Sequence, residues 1–427
     1  MGRSVVGNAV FGDSCSKSRV DKDLRFTISM VTEGGVSVVV GRQCFAAFRV
    51  AANWFTILWS RHRAGRANLL MIDESSQAQA AASFTAPLIE KLRRHPKRIV
   101  FTEGEDLRVL RGAERLVKAE AAVPILLGVR DRILKLAKEN GVDLTFVKVI
   151  DPKSSGDFTL FCQRLLKIQR YRRMNMGDPA EIVSRPHYFG AMMVQYGQAD
   201  ALLGGNQTLP ATLFRALIHT IKPLPGVPKM FGLTILAAPH LKHFGGSGLL
   251  FFADSGLIPQ PSVEQLASIA VETGKIARHF LGRPARVAML SHSTKGSAST
   301  PDALRVAAAT ALARDHAKAQ FFDMKIDGEE QADVALDPGA AEIKLPDSEL
   351  RPSADVLVFP NLDAAHISLK LLQHCAGAMN YGQLLVGLAR PAAQVPRTAS
   401  EETIFGTAAA VGVEAIKYHE AYPDGEV

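Results

Sequence analysis

From about Ser83 onward the chain alternates short apolar runs with longer stretches whose apolar positions recur every three or four residues. The short runs are RIVFTE, VPILLG, LTFVKV, ADALLGG, FGLTILA, LLFFAD, RVAMLS, ADVLVFP and GQLLVGLA, of strand length and apolar on both faces. The longer ones include LRVLRGAERLVKAE, PSVEQLASIAVETGKIARHF and PDALRVAAATALARDH, with the spacing of amphipathic helices. Doubly apolar strands alternating with helices predict an α/β fold, a mostly parallel sheet covered on both sides. Ligands of such sheets bind in loops at the carboxyl ends of strands.

Composition adds limits. The 427 residues are 47% hydrophobic and 22% charged, which excludes a disordered or coiled-coil chain, and the length suggests two domains. The net charge of +8 is uneven: residues 1–70 hold ten Lys or Arg and four Asp or Glu, leaving 40 and 38 for the rest. A nearly neutral body without aromatic residues interleaved among basic ones argues against nucleic acid as partner. Cys15, Cys44, Cys162 and Cys375 are scattered without a CxxC pair, so a reducing cytoplasm is expected rather than a disulfide framework or zinc knuckle. His240 and His243 lack a third ligand nearby, and no metal site is expected. The most apolar window, FAAFRVAANWFTILW, is broken by Arg49 and Asn53 and is too short to span a membrane. Residues 1–82 therefore read as an amino-terminal extension without catalytic residues, disordered or upstream of a natural start at Met71; the beginning has neither secretory-signal nor transit-peptide character.

The familiar fingerprints are missing. There is no GxxxxGKS/T loop and no GxSxG, and the glycines of HFGGSGLLFF lead into a strand rather than a helix. The most informative loop is SHSTKGSAST at 291–300, between the strand RVAML and a helix. Its small residues leave backbone N–H groups for an anion nest around Gly296, and Ser291, Ser293, Thr294, Lys295 and Ser297 add donors suited to phosphate. The plainer alternative is a connecting loop in which Thr300 caps a helix with Pro301 at its first position.

Six ordered motifs, FTEGEDLRVL, YFGAMM, FADSG, MLSHSTKGSA, IDGEEQADVAL and ADVLVFPNLDAAHI, resemble the phosphate acetyltransferase and phosphate butyryltransferase family over about 83–420. The resemblance implies a two-domain α/β/α architecture like that of isocitrate and isopropylmalate dehydrogenases, with the active site in the interdomain cleft. Domain I would comprise 83–227 plus 385–427, and domain II 228–384. It also implies a cytoplasmic homodimer without a resident cofactor. The reaction implied is acyl-CoA + phosphate = acyl phosphate + CoA, with acetyl-CoA and acetyl phosphate as the type substrates.

Arginine suits this chemistry because its planar fork matches phosphate oxygens bidentately. Arg215 in LPATLFRAL and Arg397 in VPRTAS fall where the family places phosphate-contacting arginines, and both are expected to face SHSTKGSAST across the cleft. A third arginine is expected in QRYRRMNMG, where Arg170 is the candidate and Arg172 and Arg173 compete. The departures are on the thiol side. The family's serine before the loop arginine is Pro396, its aspartate proposed as the thiol's base falls on Thr403, and a phosphate-holding Ser-Thr pair falls on Leu209 and Pro210. Proline offers neither hydroxyl nor amide hydrogen. Glu402, beside the aspartate position, is the candidate substitute base, although carboxylates in a first helical turn also complement the helix dipole and Thr398 with Glu401 fits a capping box. The remaining acids of IDGEEQADVAL and Asp254 are expected to shape the cleft. The expected function is an active phosphate acyltransferase for acetyl or another short acyl group, since a poor base need not abolish transfer. The alternative is a non-catalytic acyl-CoA or acyl-phosphate binding regulatory protein of the same fold.

Overall fold

The computed structural model describes Met30–Val31, Ser37–Val38 and residues 74–421 apart from 239, 241–244 and 246–247. The apolar window, both tryptophans, Met71 and His243 lie outside the described residues. Strands β1 (Met30–Val31) and β2 (Ser37–Val38) pair antiparallel within a first unit ending at Asp73. The second unit, Glu74–Val427, carries every motif quoted above.

Its centre is one eleven-stranded sheet. In chain order the strands are β3 (Lys97–Phe101), β4 (Ala122–Leu127), β5 (Lys148–Ile150), β6 (Ala201–Gly204), β7 (Phe231–Ala237), β8 (Leu249–Ala253), β9 (Arg286–Leu290), β10 (Lys325–Glu330), β11 (Val356–Val358), β12 (Met379–Val386) and β13 (Ala392–Gln394). Their order in space is β10-β9-β11-β8-β7-β12-β13-β6-β3-β4-β5. Seven of the ten neighbour pairings are parallel, and the three antiparallel ones fall together at β8–β7–β12–β13. Two parallel blocks of opposite direction thus meet at β7 and β12, giving the sheet a central switch point. The expected α/β class and mostly parallel sheet are what the chain adopts.

Two elements differ from the apolar pattern for local reasons. LTFVKV forms a strand only from Lys148, because the Asp143 carboxylate accepts from the Thr145 N–H (2.8 Å) and hydroxyl (2.6 Å), closing a turn that competes with extended pairing. KIDGEE is polar in sequence yet forms β10, with every residue after Lys325 buried. Helix Glu74–Arg94 begins inside the stretch assigned to the extension and buries Ala81, Phe84, Leu88 and Leu92.

Helix Glu401–Ala421 lies against the middle of the sheet, packed on β12 and on helices Glu74–Arg94 and Leu107–Lys118. Its run GTAAAVGV, 406–413, is fully buried because small side chains let three neighbours approach closely. The helix is capped by Ser400, whose hydroxyl accepts the Thr403 N–H at 3.1 Å, not by the expected Thr398–Glu401 box. Helix Pro301–Ala319 is capped as expected: Thr300 accepts the Ala303 N–H at 3.3 Å, with Pro301 in the first turn.

Carboxylates buried near strand ends secure the loops. Asp254, just after β8, accepts N–H groups from Gly232 (2.9 Å), Gly256 (2.8 Å) and Leu257 (3.2 Å). Asp355 is wholly buried between Arg283 (2.7 Å) and Arg286 (2.9 Å); burial alone would raise it, but the two guanidinium groups pull it down to about 2. Glu330 is the exception. It is fully buried, neither carboxylate oxygen has a hydrogen-bond partner among the described residues, and burial, reinforced by Asp327 and opposed by Lys295 and Arg314, lifts it to about 8. No described helix is long and apolar enough to cross a membrane.

Two stability measurements check this packing. A Cβ at Gly406 would overlap the Tyr381 ring, itself fully buried and stacked on Phe84 at 4.3 Å. Gly406→Ala, which in an open helix gains about 1 kcal/mol, should here cost about 2 kcal/mol or more in urea unfolding; a gain would contradict the close contact. Glu330 keeps its proton in the folded chain while the unfolded chain releases it, so stability should fall as pH rises from 4.5 to about 8. Glu330→Leu should remove that penalty, with a gain that widens across this window to roughly 2–5 kcal/mol. A pH-independent difference would show that Glu330 is ionised when folded.

Candidate active site

A cavity of about 540 Å³ opens over the switch point, between helices Pro210–Thr220 and Leu362–Cys375. Its floor is Thr234 of β7, Gly382 and Gln383 of β12 and Gln394 of β13. The walls carry Pro210 and Phe214 on one helix, Asp363, His366 and Lys370 on the other, and Pro396 and Arg397 from the loop after β13. The floor is fixed by a short polar chain: Gln383 Nε2 donates to the Ser255 carbonyl (2.8 Å), and the Ser255 and Thr234 hydroxyls lie 2.8 Å apart.

The Arg397 loop is held from outside by a residue that sequence reasoning did not single out. Arg108, in the FTEGEDLRVL motif, donates to the carbonyls of Arg397 (2.9 Å), Ala399 (2.7 Å) and Asn206 (3.2 Å). Its guanidinium is aligned by Asp106 at 2.6 Å. Burial would raise Asp106, but the bonds from Arg108 and Asn206 outweigh it and keep the carboxylate below its ordinary range. Glu103, in the same motif, gathers the next loop: it accepts from the N–H groups of Gly205 (2.7 Å) and Asn206 (3.2 Å) and from the Thr208 hydroxyl (2.9 Å). His187 Nε2 lies 3.4 Å from the same carboxylate. Burial is opposed here too, by His187, Thr208 and Gly205, so Glu103 remains ionised below its usual titration range. With its carbonyl clamped, the exposed Arg397 side chain makes no ion pair among the described residues.

Other expected site residues are distributed differently. Arg215 is exposed on helix Pro210–Thr220 and is not in the cavity lining; its charge acts on Tyr188 and His219, which are 2.9 Å apart. His219 is lowered first by burial and then by Arg215 and Arg172. Arg170 is exposed in the last turn of helix Phe158–Tyr171, also away from the lining. Its competitor Arg172 is committed to structure, donating to the carbonyls of Ile218 (2.6 Å) and Ile221 (3.0 Å) at the end of helix Pro210–Thr220. Glu402 is not in the lining either. Its Oε2 is 2.6 Å from Arg115, which also reaches Glu401 at 3.4 Å, so the carboxylate proposed as a substitute base is held in an ion pair. Thr403 shares hydroxyl contact with Ser400 at 3.1 Å.

The 291–300 loop is a nest filled from within. Glu329 Oε1 accepts from the Gly296 N–H (2.6 Å) and the Ser293 hydroxyl (3.0 Å), and Ser297 accepts the Thr294 N–H at 3.0 Å. Lys295 pairs with Asp327 and donates to the Gly328 carbonyl at 2.9 Å; Thr294 Oγ1 accepts the Gln331 N–H at 3.2 Å. Most donors expected to cradle phosphate therefore have internal partners, among them Asp327 and Glu329 of IDGEEQADVAL. Ser291 instead lines a second cavity of about 320 Å³ with His292, Asp302 and Asn361, and no residue of 291–300 lines the first. Among the expected site residues, the first cavity gathers Arg397 alone. Asp363, His366 and Lys370, which sequence reading passed over, join it; the signal available was their i, i+3, i+7 spacing beside ADVLVFPNLDAAHI.

Comparison with known proteins accounts for this scaffold. The family model described as phosphate acetyl/butaryl transferase matches residues 83–411. The chain is 35% identical over 333 residues to a phosphate acetyltransferase of Thermoanaerobacterium thermosaccharolyticum, covering 78% of this chain and 99% of that one. Among solved structures, a phosphotransacetylase from Streptococcus pyogenes superposes with a TM-score of 0.72 at 31% identity, over 78% of this chain and 98% of the other. The EutD phosphotransacetylase from Staphylococcus aureus gives 0.70 at 33% identity, over 78% and 99%. A family model matching 83–411 and a relative 35% identical over nearly its whole length give one conclusion: the chain belongs to the phosphate acetyl/butaryl transferase family.

Proposed function

We propose that the protein is an enzyme that moves a short acyl group between coenzyme A and inorganic phosphate, with the switch-point cavity as its active site. Family membership supports the reaction class. The observation that carries the assignment of the site is Arg397: its backbone is clamped by Arg108 while its guanidinium lines the cavity without an ion pair among the described residues. An unpaired cationic fork on a fixed loop suits a phosphate or acyl phosphate, whose charge it can meet bidentately. Lys370 supplies a second cation in the same lining; its Nζ donates to Gln373 at 3.0 Å, and burial lowers its affinity for the proton. Arg215 and Arg170, outside the lining, are read as outer contacts for the phosphates of coenzyme A.

The resemblance supports the rest of the reading. Coenzyme A is a substrate rather than a resident cofactor, and the working unit is a cytoplasmic homodimer. Each chain divides into 83–227 plus 385–427 and 228–384. The assay that tests the function is thiol release from acetyl-, propionyl- or butyryl-CoA with and without phosphate. Phosphate-dependent release supports the enzyme; saturable acyl-CoA binding without release contradicts it.

Within that assay, Arg397→Ala should lower kcat/KM roughly 30- to 1000-fold, a loss of about 2 to 4 kcal/mol of transition-state stabilisation. Arg397→Lys should recover only part, because it keeps charge but not the fork. An unchanged phosphate dependence in Arg397→Ala would remove the site assignment. Glu402→Gln should leave turnover within about threefold and lower stability by at most about 1 kcal/mol, as expected for a partly exposed pair with Arg115. A 100-fold loss of turnover would instead restore Glu402 as a base.

A further inference from the structure

Acyl transfer from acyl phosphate to coenzyme A begins with a thiol that must lose its proton, and ends in the reverse direction with a thiolate that must regain it. The positions where the family resemblance places help for the thiol, Pro396 and Thr403, provide neither a base nor an unengaged hydroxyl: proline has no donor, and Thr403 is turned to Ser400 at 3.1 Å. Glu402 is held by Arg115 at 2.6 Å. Any proton acceptor must then come from the groups that line the cavity.

Four charged or titratable side chains do so: Arg397, Lys370, Asp363 and His366. The two cations are assigned to phosphate oxygens above, and a guanidinium does not deprotonate in proteins. Asp363 precedes His366 by three residues and Lys370 follows it by four, so the three share one helical face, turned to the cavity. The helix is anchored by buried Ala365 and Leu369, the latter also at the cavity. Its first turn is fixed by Asn361, whose side chain accepts the Ala364 N–H at 2.9 Å. His366 is exposed on this helix and lines the cavity.

The geometry points to His366 as the catalytic base and acid of the thiol half-reaction, a role that rests on the acyl-transfer reading and deepens it. In the direction of thioester synthesis a neutral ring nitrogen takes the proton of the coenzyme A S–H. The sulfur electron pair forms the S–C bond to the acyl carbonyl. The C–O bond to phosphate then breaks with its electron pair leaving on phosphate, next to Arg397 and Lys370. The imidazolium releases its proton to the departing phosphate or to water. In reverse, the imidazolium protonates the thiolate as the thioester C–S bond breaks.

The test is steady-state kinetics of the full-length chain in both directions, comparing wild type with His366→Gln and His366→Ala. Because His366 is exposed, both variants should unfold at the wild-type midpoint. His366→Gln is expected to lower kcat about 100-fold or more with KM for coenzyme A and phosphate changed less than about threefold, the range general-base help covers. The wild-type pH–rate profile should lose one limb in the variant. Added imidazole should restore part of the rate of His366→Ala. If wild type shows phosphate-dependent transfer and His366→Gln keeps its kcat and pH profile, or changes only KM, the role assigned to His366 is overturned while the acyl-transfer reading stands. If wild type shows no phosphate-dependent transfer, the acyl-transfer reading itself fails, and the assignment of His366 falls with it.

Discussion

The arrangement of the site depends on carboxylates buried near strand ends, where loop N–H groups would otherwise go unpaired. Glu103 draws in the N–H groups of Gly205 and Asn206, Asp254 those of Gly232 and Gly256, and Glu329 that of Gly296. A buried amide without a partner costs about 1–3 kcal/mol, so each carboxylate fixes its loop in one conformation. Glu103 begins a chain that reaches the cavity. It sets the 205–208 loop, Asp106 and Arg108 bind that loop at Asn206, and Arg108 then holds the carbonyls of Arg397 and Ala399. The cation at the cavity is therefore positioned by backbone contacts made far from its own charge.

The same use of carboxylates changes the meaning of the 291–300 loop. Its glycine and hydroxyl donors have the composition of an anion nest, and an anion does fill it, but that anion is the chain's own Glu329, assisted by a Lys295–Asp327 pair. These contacts brace the loop against β10, while Arg397 and Lys370 line the cavity at the junction where the two parallel blocks change direction. Glu330, next in sequence, has no such partner among the described residues, and burial raises it to about 8.

Much of the scaffold was legible because strands buried on both faces are continuous apolar runs. FGLTILA is β7 without change, and RVAML is β9. KIDGEE was not, because Asp327 and Glu329 are held inside by Lys295, Arg314 and Ser293, partners outside the strand that its own pattern does not record. At the candidate site, Arg397 was singled out through family resemblance and the chemistry of its fork, and it lines the cavity. Arg108 was not, since its partners at Arg397 lie 289 residues later and accept through backbone carbonyls, to which side-chain identity gives no clue. His366, Asp363 and Lys370 share one helical face by spacing, yet only the fold shows that this face meets Pro396 and Arg397. Glu402 shows the limit of local reading from the other side: its ion pair with Arg115, 287 residues earlier, is not recorded in the stretch around it.

The central claim is that Arg108 positions Arg397, and a double-mutant cycle measures it most directly. In the phosphate-dependent thiol-release assay, kcat/KM for phosphate is compared among wild type, Arg108→Gln, Arg397→Ala and the double variant. If Arg108 acts through the Arg397 loop, Arg108→Gln alone lowers kcat/KM, but adds little once Arg397 is alanine, leaving a coupling of about 1 kcal/mol or more. Losses that multiply independently, with coupling near zero, would show that the two arginines serve phosphate separately and would contradict the account.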